Sequence, residues 1–226
     1  MKKKTLTVAI ALVLVVALAV GATYAYLTAQ TPAVKNTFVA GGAVADKDLK
    51  LFEHVANKNA DGSYTLDPAK ETTGNAYTVM PGVNLPKDPT VSVKAASGEY
   101  YLFVEVTKGS GFAPVTVGEG DNAKTGTPLS YGVDTAKWQR LALTGNDANR
   151  EVYVYCVTGG SAIQSAPVSN VKVLANDTIT VSADNDIVAT LTSDAASALT
   201  FNAYACQAAG FADAAAAFTA CFGSTK

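Results

Sequence analysis

The single imidazole of this 226-residue sequence, His54 in Phe52-Glu53-His54-Val55, decides most of what catalysis the chain can carry. A His-Glu-x-x-His zinc site needs two imidazoles one helical turn apart, and a second is lacking. A Ser-His-Asp constellation would have to recruit His54, and no serine sits in a Gly-x-Ser-x-Gly turn. A Cys-His pair would need Cys156, Cys206 or Cys221 to reach the same ring. With no local motif behind any of these, His54 reads as a strand-end or loop side chain. The expectation is a protein that is not an enzyme, with no catalytic residues, no metal and no cofactor.

Two oxygen-rich stretches bear on calcium. Asn57-Lys58-Asn59-Ala60-Asp61-Gly62 has the alternate spacing that opens a calcium loop, but the bidentate Glu of such a loop belongs where Pro68 stands. Asp61-Gly62 reads better as a turn between two strands. Asp184-Asn185-Asp186 is read as a turn for the same reason. Trp138, Tyr131, Tyr153 and Tyr155 could form a platform for a sugar ring, yet aromatics alternating along strands usually fill cores, which is the favoured reading.

Three cysteines leave an odd thiol. Cys206 and Cys221 flank a short helical segment and are the favoured pair, because closing a loop of that size stabilises by about 3 kcal/mol where the geometry fits. Three unbridged cysteines acting as small apolar side chains is the other reading.

The elements that must position these residues are strands. Short runs alternate apolar and polar residues between Gly, Pro, Asn and Asp, the pattern of half-buried strands. Strands are predicted over 36–44, 49–54, 63–66, 77–80, 90–93 and 99–107. Further strands are predicted over 140–143, 151–157, 171–174, 178–182, 187–192 and 198–206. In 99–106 the even-numbered Tyr100, Leu102, Val104 and Val106 are read as the apolar face. In 198–206 Leu199, Phe201, Ala203 and Ala205 share one side. Stripes of this kind leave water when two sheets pack face to face. The fold class is therefore all-β, a jelly-roll or immunoglobulin-like two-sheet sandwich. The stretch 109–128 is expected to be a long loop with at most a short strand at 115–117. One short C-terminal helix is expected over 211–222, with Phe211, Ala215, Phe218 and Phe222 on one face and Gly223 as its stop.

The N-terminus carries the pattern of a signal peptide. Lys2, Lys3 and Lys4 precede an uncharged apolar run from Val8 to Val20, and Thr23-Tyr24-Ala25 offers small side chains for a peptidase. Cleavage is placed after Ala25, before Tyr26, giving a signal peptide over 1–25 and one sandwich domain over 26–226 with an N-terminal extension at 26–35. The run is short of the about 20 residues of a comfortable span, although an uncleaved anchor is the alternative. Losing three lysines takes the formal charge from −2 to about −5, and no Lys/Arg cluster remains, so nucleic acid is not an expected partner. The last residues show neither a second apolar segment nor a Leu-Pro-x-Thr-Gly signal. The membrane is met only through the signal peptide.

Gly-Ala-Thr-Tyr-Ala-Tyr-Leu-Thr at 21–28, followed by Asn-Thr-Phe-Val-Ala-Gly at 36–41, resembles exported proteins of the TasA and camelysin family, which carry a SipW-dependent signal peptide. Val-Met-Pro-Gly at 79–82 with Lys-Asp-Pro at 87–89, Tyr-Tyr-Leu-Phe-Val-Glu-Val at 100–106 and Tyr-Ala-Cys-Gln-Ala at 204–208 fit the same resemblance. It implies a secreted, extracellular or cell-surface protein that polymerises with itself into biofilm-matrix fibres, and a SipW-type signal peptidase as a processing partner. An N-terminal strand around Val34, Asn36, Thr37, Phe38 and Val39 is the expected assembly element, donated to the sheet of a neighbour or serving as the first strand of its own domain. The alternative functions are a monomeric secreted binding module or, following camelysin, a protease.

Overall fold

The computed structural model describes residues 37–38, 43–143, 148–157 and 160–223, with only the backbone described at 37, 38 and 46. The chain runs β1 (Thr37–Phe38), β2 (Leu49–Lys58), β3 (Tyr64–Thr72), β4 (Leu85–Pro86), β5 (Thr90–Val93) and β6 (Tyr100–Lys108). It continues through β7 (Val115–Val117), β8 (Lys124–Gly126), β9 (Leu129–Val133), β10 (Trp138–Arg140), β11 (Arg150–Tyr155), β12 (Ile163–Gln164), β13 (Val168–Lys172) and β14 (Leu174–Val181). Two one-turn helices, α1 (Asn185–Val188) and α2 (Asp194–Ser197), precede β15 (Leu199–Gln207) and the C-terminal helix α3 (Ala214–Phe222).

The strands form one sheet in the order β1-β15-β6-β11-β10, with β12 also on β6, and a second in the order β13-β5-β2-β3. A third, β4-β14-β9, and the β7-β8 hairpin complete the described strands. Every pairing is antiparallel except that of β1 with β15. The first two sheets contribute to one core. Leu49, Leu51, Val91, Val93 and Val171 come from one sheet, and Leu102, Val104, Val106, Phe201 and Ala203 from the other.

Strand β6 is buried along its first seven residues, on both faces. Its even-numbered side chains enter the core between the sheets, as their alternation predicts. Tyr101 and Phe103, on the other face, are covered by α3. That helix ends where the sequence predicts, at Phe222, but begins three residues later than the predicted 211–222, leaving Phe211 outside it. Asp213 caps it by accepting the Ala216 amide at 2.8 Å, and Gly223, at φ 63°, donates to the Thr219 carbonyl and ends it. Ala214, Ala217, Phe218 and Phe222 face the sheet, so the contact stripe lies beside the expected one and Ala215 is only half-buried. Phe218 stands edge-on to Phe103 at 5.2 Å and to Tyr204 at 5.7 Å. Cys206 on β15 is bonded to Cys221 on α3, with Cα atoms 6.8 Å apart, and Cys156 is a free thiol.

Several predicted elements differ. Residues 187–192 are not a strand. Ile187, Val188 and Leu191 have the i, i+1, i+4 spacing of a helix, and Asp184 caps α1 by accepting the Asp186 and Ile187 amides. Residues 77–80 have no ladder partner; the Thr78 amide donates to the Tyr64 hydroxyl at 2.7 Å instead. The predicted loop 109–128 contains the β7-β8 hairpin, and β9 follows it where no strand is expected. The strand predicted over 140–143 is β10, placed two residues earlier.

Phe218→Ala removes a ring that is 1% exposed between α3 and β6. It should lower unfolding stability by about 3–5 kcal/mol, read from urea titration of the purified chain.

Candidate functional site

The backbone of β15 provides a pairing edge of the sandwich. Gly109 donates to the Ala198 carbonyl at 2.8 Å and Ala208 donates to the Glu99 carbonyl at 2.9 Å, so even-numbered β15 residues bond to β6. Backbone groups of the odd-numbered residues therefore point to the other side. There β1 runs parallel to β15 and pairs Thr37 with Tyr204 and Phe38 with Ala205. In that parallel ladder the Ala203 carbonyl faces Thr37, and among the described residues no strand continues the pairing along 199–202.

The other outer strands of the two main sheets carry features that discourage pairing. β3 bulges between the partners of His54 and Val55, and the bulge contains Pro68 and Lys70. β13 is bulged at Asn170, which has φ 50°. β10 is only three residues long.

A cleft of about 570 Å³ runs along residues 199–202 of β15, with Leu51, Phe52, Tyr77, Leu85 and Phe201 in its walls. Buried charge lies at its base. Glu53 Oε1 and Lys87 Nζ are 2.6 Å apart, with both side chains less than 10% exposed. Asn75 reaches in from the loop after β3, donating through Nδ2 to Glu53 Oε2 at 3.3 Å and to the His54 carbonyl at 2.9 Å. Its Oδ1 accepts the Ala56 amide at 2.8 Å.

On the opposite side of β2, His54 does not lie at a strand end or in a loop. It sits within β2, with Nδ1 2.6 Å from Asp88 Oδ2, and its amide donates to Asp88 Oδ1 at 2.9 Å. Asp88 is 1% exposed and also receives Lys172 Nζ at 3.3 Å. Two successive residues of β2 are thus clamped to two successive residues before β5, Glu53 to Lys87 and His54 to Asp88. The Glu53–Lys87 pair is held by mutual compensation, because either charge alone would be costly at this depth. Sequence reasoning missed this ladder. Its one signal was charge inside the apolar run Leu51-Phe52-Glu53-His54-Val55.

The remaining expected site residues are placed as follows. Thr23, Ala25, Tyr26, Val34, Asn36 and Val39 lie outside the described residues, as do the signal peptide and the 26–35 extension. Thr37 and Phe38 form β1. Asp61-Gly62 makes the β2-β3 turn, with Gly62 at φ 85° and Asp61 Oδ1 accepting the Ser63 amide at 3.0 Å. Trp138 is a core residue, 1% exposed, donating through Nε1 to the Lys172 carbonyl, with Tyr155 edge-on to it. Tyr131 and Tyr153 both donate to Glu151 Oε2 at 2.9 Å, so the four aromatics do not form an open platform. Neither a protein-family model, nor a curated protein, nor a solved structure matches the chain.

Burial alone would raise the Glu151 carboxyl, but hydrogen bonds from Tyr131, Tyr153 and Lys108 outweigh it and hold the group below the usual carboxylate range. Its contribution to stability is therefore present above that range and is lost as pH falls through the folded-state value. Glu151→Gln should lose less stability than the parent chain between about pH 5 and about pH 3, measured by urea unfolding at each pH.

Proposed function

We propose that this is a secreted structural protein that assembles into extracellular fibres, with an N-terminal strand of one molecule completing a sheet of the next. The observation that carries the reading is the outer edge of β15 at 199–202, which no described strand pairs, next to the two positions that β1 covers. Exposed strand edges are templates for strand addition, and main-chain hydrogen bonds supply affinity for any segment that can lie extended. A strand that continued the β1 register would lie beside 199–203, whichever molecule supplied it. Exchange between copies is head-to-tail and does not close, so it propagates as a filament.

The jelly-roll or immunoglobulin-like assignment, export through a SipW-type signal, cleavage after Ala25 and a biofilm-matrix setting belong to this same reading. The resemblance of the signal region and of the Asn36-Thr37-Phe38 segment supports them. Cleavage at that point frees the extension at 26–35 and so links export to assembly. No catalytic role is assigned.

Deleting 26–35 from the processed chain should abolish filaments seen by negative-stain electron microscopy while the sandwich remains folded. Normal filaments from the deletion variant would reject the donor role. Leu199→Pro tests the acceptor separately. The Leu199 amide faces away from β6 at the first position of β15, so proline removes an outward donor without removing a β6 hydrogen bond. The variant should keep the circular dichroism of the parent and sediment as a monomer under conditions where the parent forms filaments.

A further inference from the structure

Glu53, Lys87 and Asn75 meet at the base of the cleft in an arrangement that goes beyond an ion pair. One buried carboxylate holds an amine against one oxygen and a carboxamide against the other, at 2.6 Å and 3.3 Å. The Lys87 amine also lies 5.6 Å from the Phe201 ring centroid, and Leu51, Phe52 and Leu85 line the same cavity. The Asn75 carboxamide is held at both ends. Its Oδ1 accepts the Ala56 amide, which draws electrons from Cγ, while Nδ2 is bound by the Glu53 carboxylate and the His54 carbonyl.

An apolar site disfavours separated charges, and transfer of one proton from Lys87 Nζ to Glu53 leaves a neutral amine beside a carboxylic acid. A neutral amine is a nucleophile, and fixing it against an acyl carbon replaces a bimolecular encounter.

We propose that Lys87 and Asn75 join autocatalytically through an isopeptide bond, with Glu53 as the catalytic proton carrier. Lys87 Nζ gives one proton to Glu53 and attacks Asn75 Cγ, and the Ala56 amide, already on Oδ1, holds the oxygen that gains negative charge. Glu53 then passes the proton it holds to Nδ2 through Oε2 and takes the second proton from Nζ through Oε1. The Cγ–Nδ2 bond breaks and ammonia leaves, while a Nζ–Cγ amide remains and Glu53 ends as the carboxylic acid, having kept the first proton of Lys87. No oxidant, metal or co-reactant enters the balance. The bond ties the loop after β3 to the segment between β4 and β5, on the wall of the cleft that faces β15. It requires only the folded chain, whether or not the molecule forms filaments.

The methionines offer a direct test. The chain has two, Met1 and Met80, and Met80 lies between Asn75 and Lys87, whereas Cys206 and Cys221 both lie beyond it. Cyanogen bromide should therefore leave the folded and aged parent chain migrating as one species on a reducing denaturing gel. Its intact mass should be lower by one ammonia, and tandem mass spectrometry should find a branched peptide joining Lys87 to Asn75. Glu53→Gln and Asn75→Ala should each give two fragments and full mass. Asn75 lies on a partly exposed loop, so its variant keeps the test open if Glu53→Gln does not fold, with circular dichroism checking both. Two fragments from the parent chain, or an ammonia deficit confined to a linear peptide containing Asn75, would overturn the proposal.

Discussion

Everything else in the molecule is arranged around a strand that has no face in water. β6 is paired along both edges and covered on both sides, by the second sheet beneath its even-numbered residues and by α3 above Tyr101 and Phe103. Such a strand must be apolar in both registers, and Tyr100-Tyr101-Leu102-Phe103-Val104 satisfies that demand. The exception is Glu105, whose carboxylate is met by Arg150 through Nε at 2.8 Å and Nη2 at 2.6 Å. The guanidinium in turn lies 5.8 Å from the Phe218 ring, so the charge pair is roofed by the helix. The two-layer body and its helical cover are thereby a single cooperative unit centred on one segment.

Much of this was legible from residue patterns. Thr90–Val93 is a strand with the predicted limits, and β6, β11 and β15 agree within one or two residues, because each alternates or is continuously apolar between clear breakers. The C-terminal helix was signalled by its alanines, its phenylalanine spacing and Gly223. What alternation alone hid was the second buried face of β6, since a residue cannot announce that a helix more than a hundred positions away will lie over it. Ile187-Val188 misled because β-branched residues favour strands, and the Asp184 cap with the Leu191 contact overrode that preference. Leu129-Ser130-Tyr131-Gly132-Val133 does alternate, but it follows a Gly- and Pro-rich stretch and carries a glycine of its own.

The candidate site was less legible than the fold. That an edge existed could be argued, but which edge was open depends on register. The parity of the β15 hydrogen bonds, the bulge around Pro68 and the bulge at Asn170 are all properties of pairing rather than of composition. The Glu53–Lys87 and His54–Asp88 clamps were hidden for the same reason. Their members lie more than thirty positions apart and meet only because Phe52 is in register with Thr90.

The direction of β1 has a mechanical meaning. Because it runs parallel to β15, a force drawing the N-terminal end of β1 along the strand axis, against the opposite end of β15, loads their shared hydrogen bonds together and sideways. An antiparallel partner pulled from its terminus at the same end would peel, rupturing one bond at a time. Helix α3, bonded through Cys221 to Cys206 beside that contact, gives the loaded strand a covalent anchor in the body. The geometry is that of a tether suited to tension.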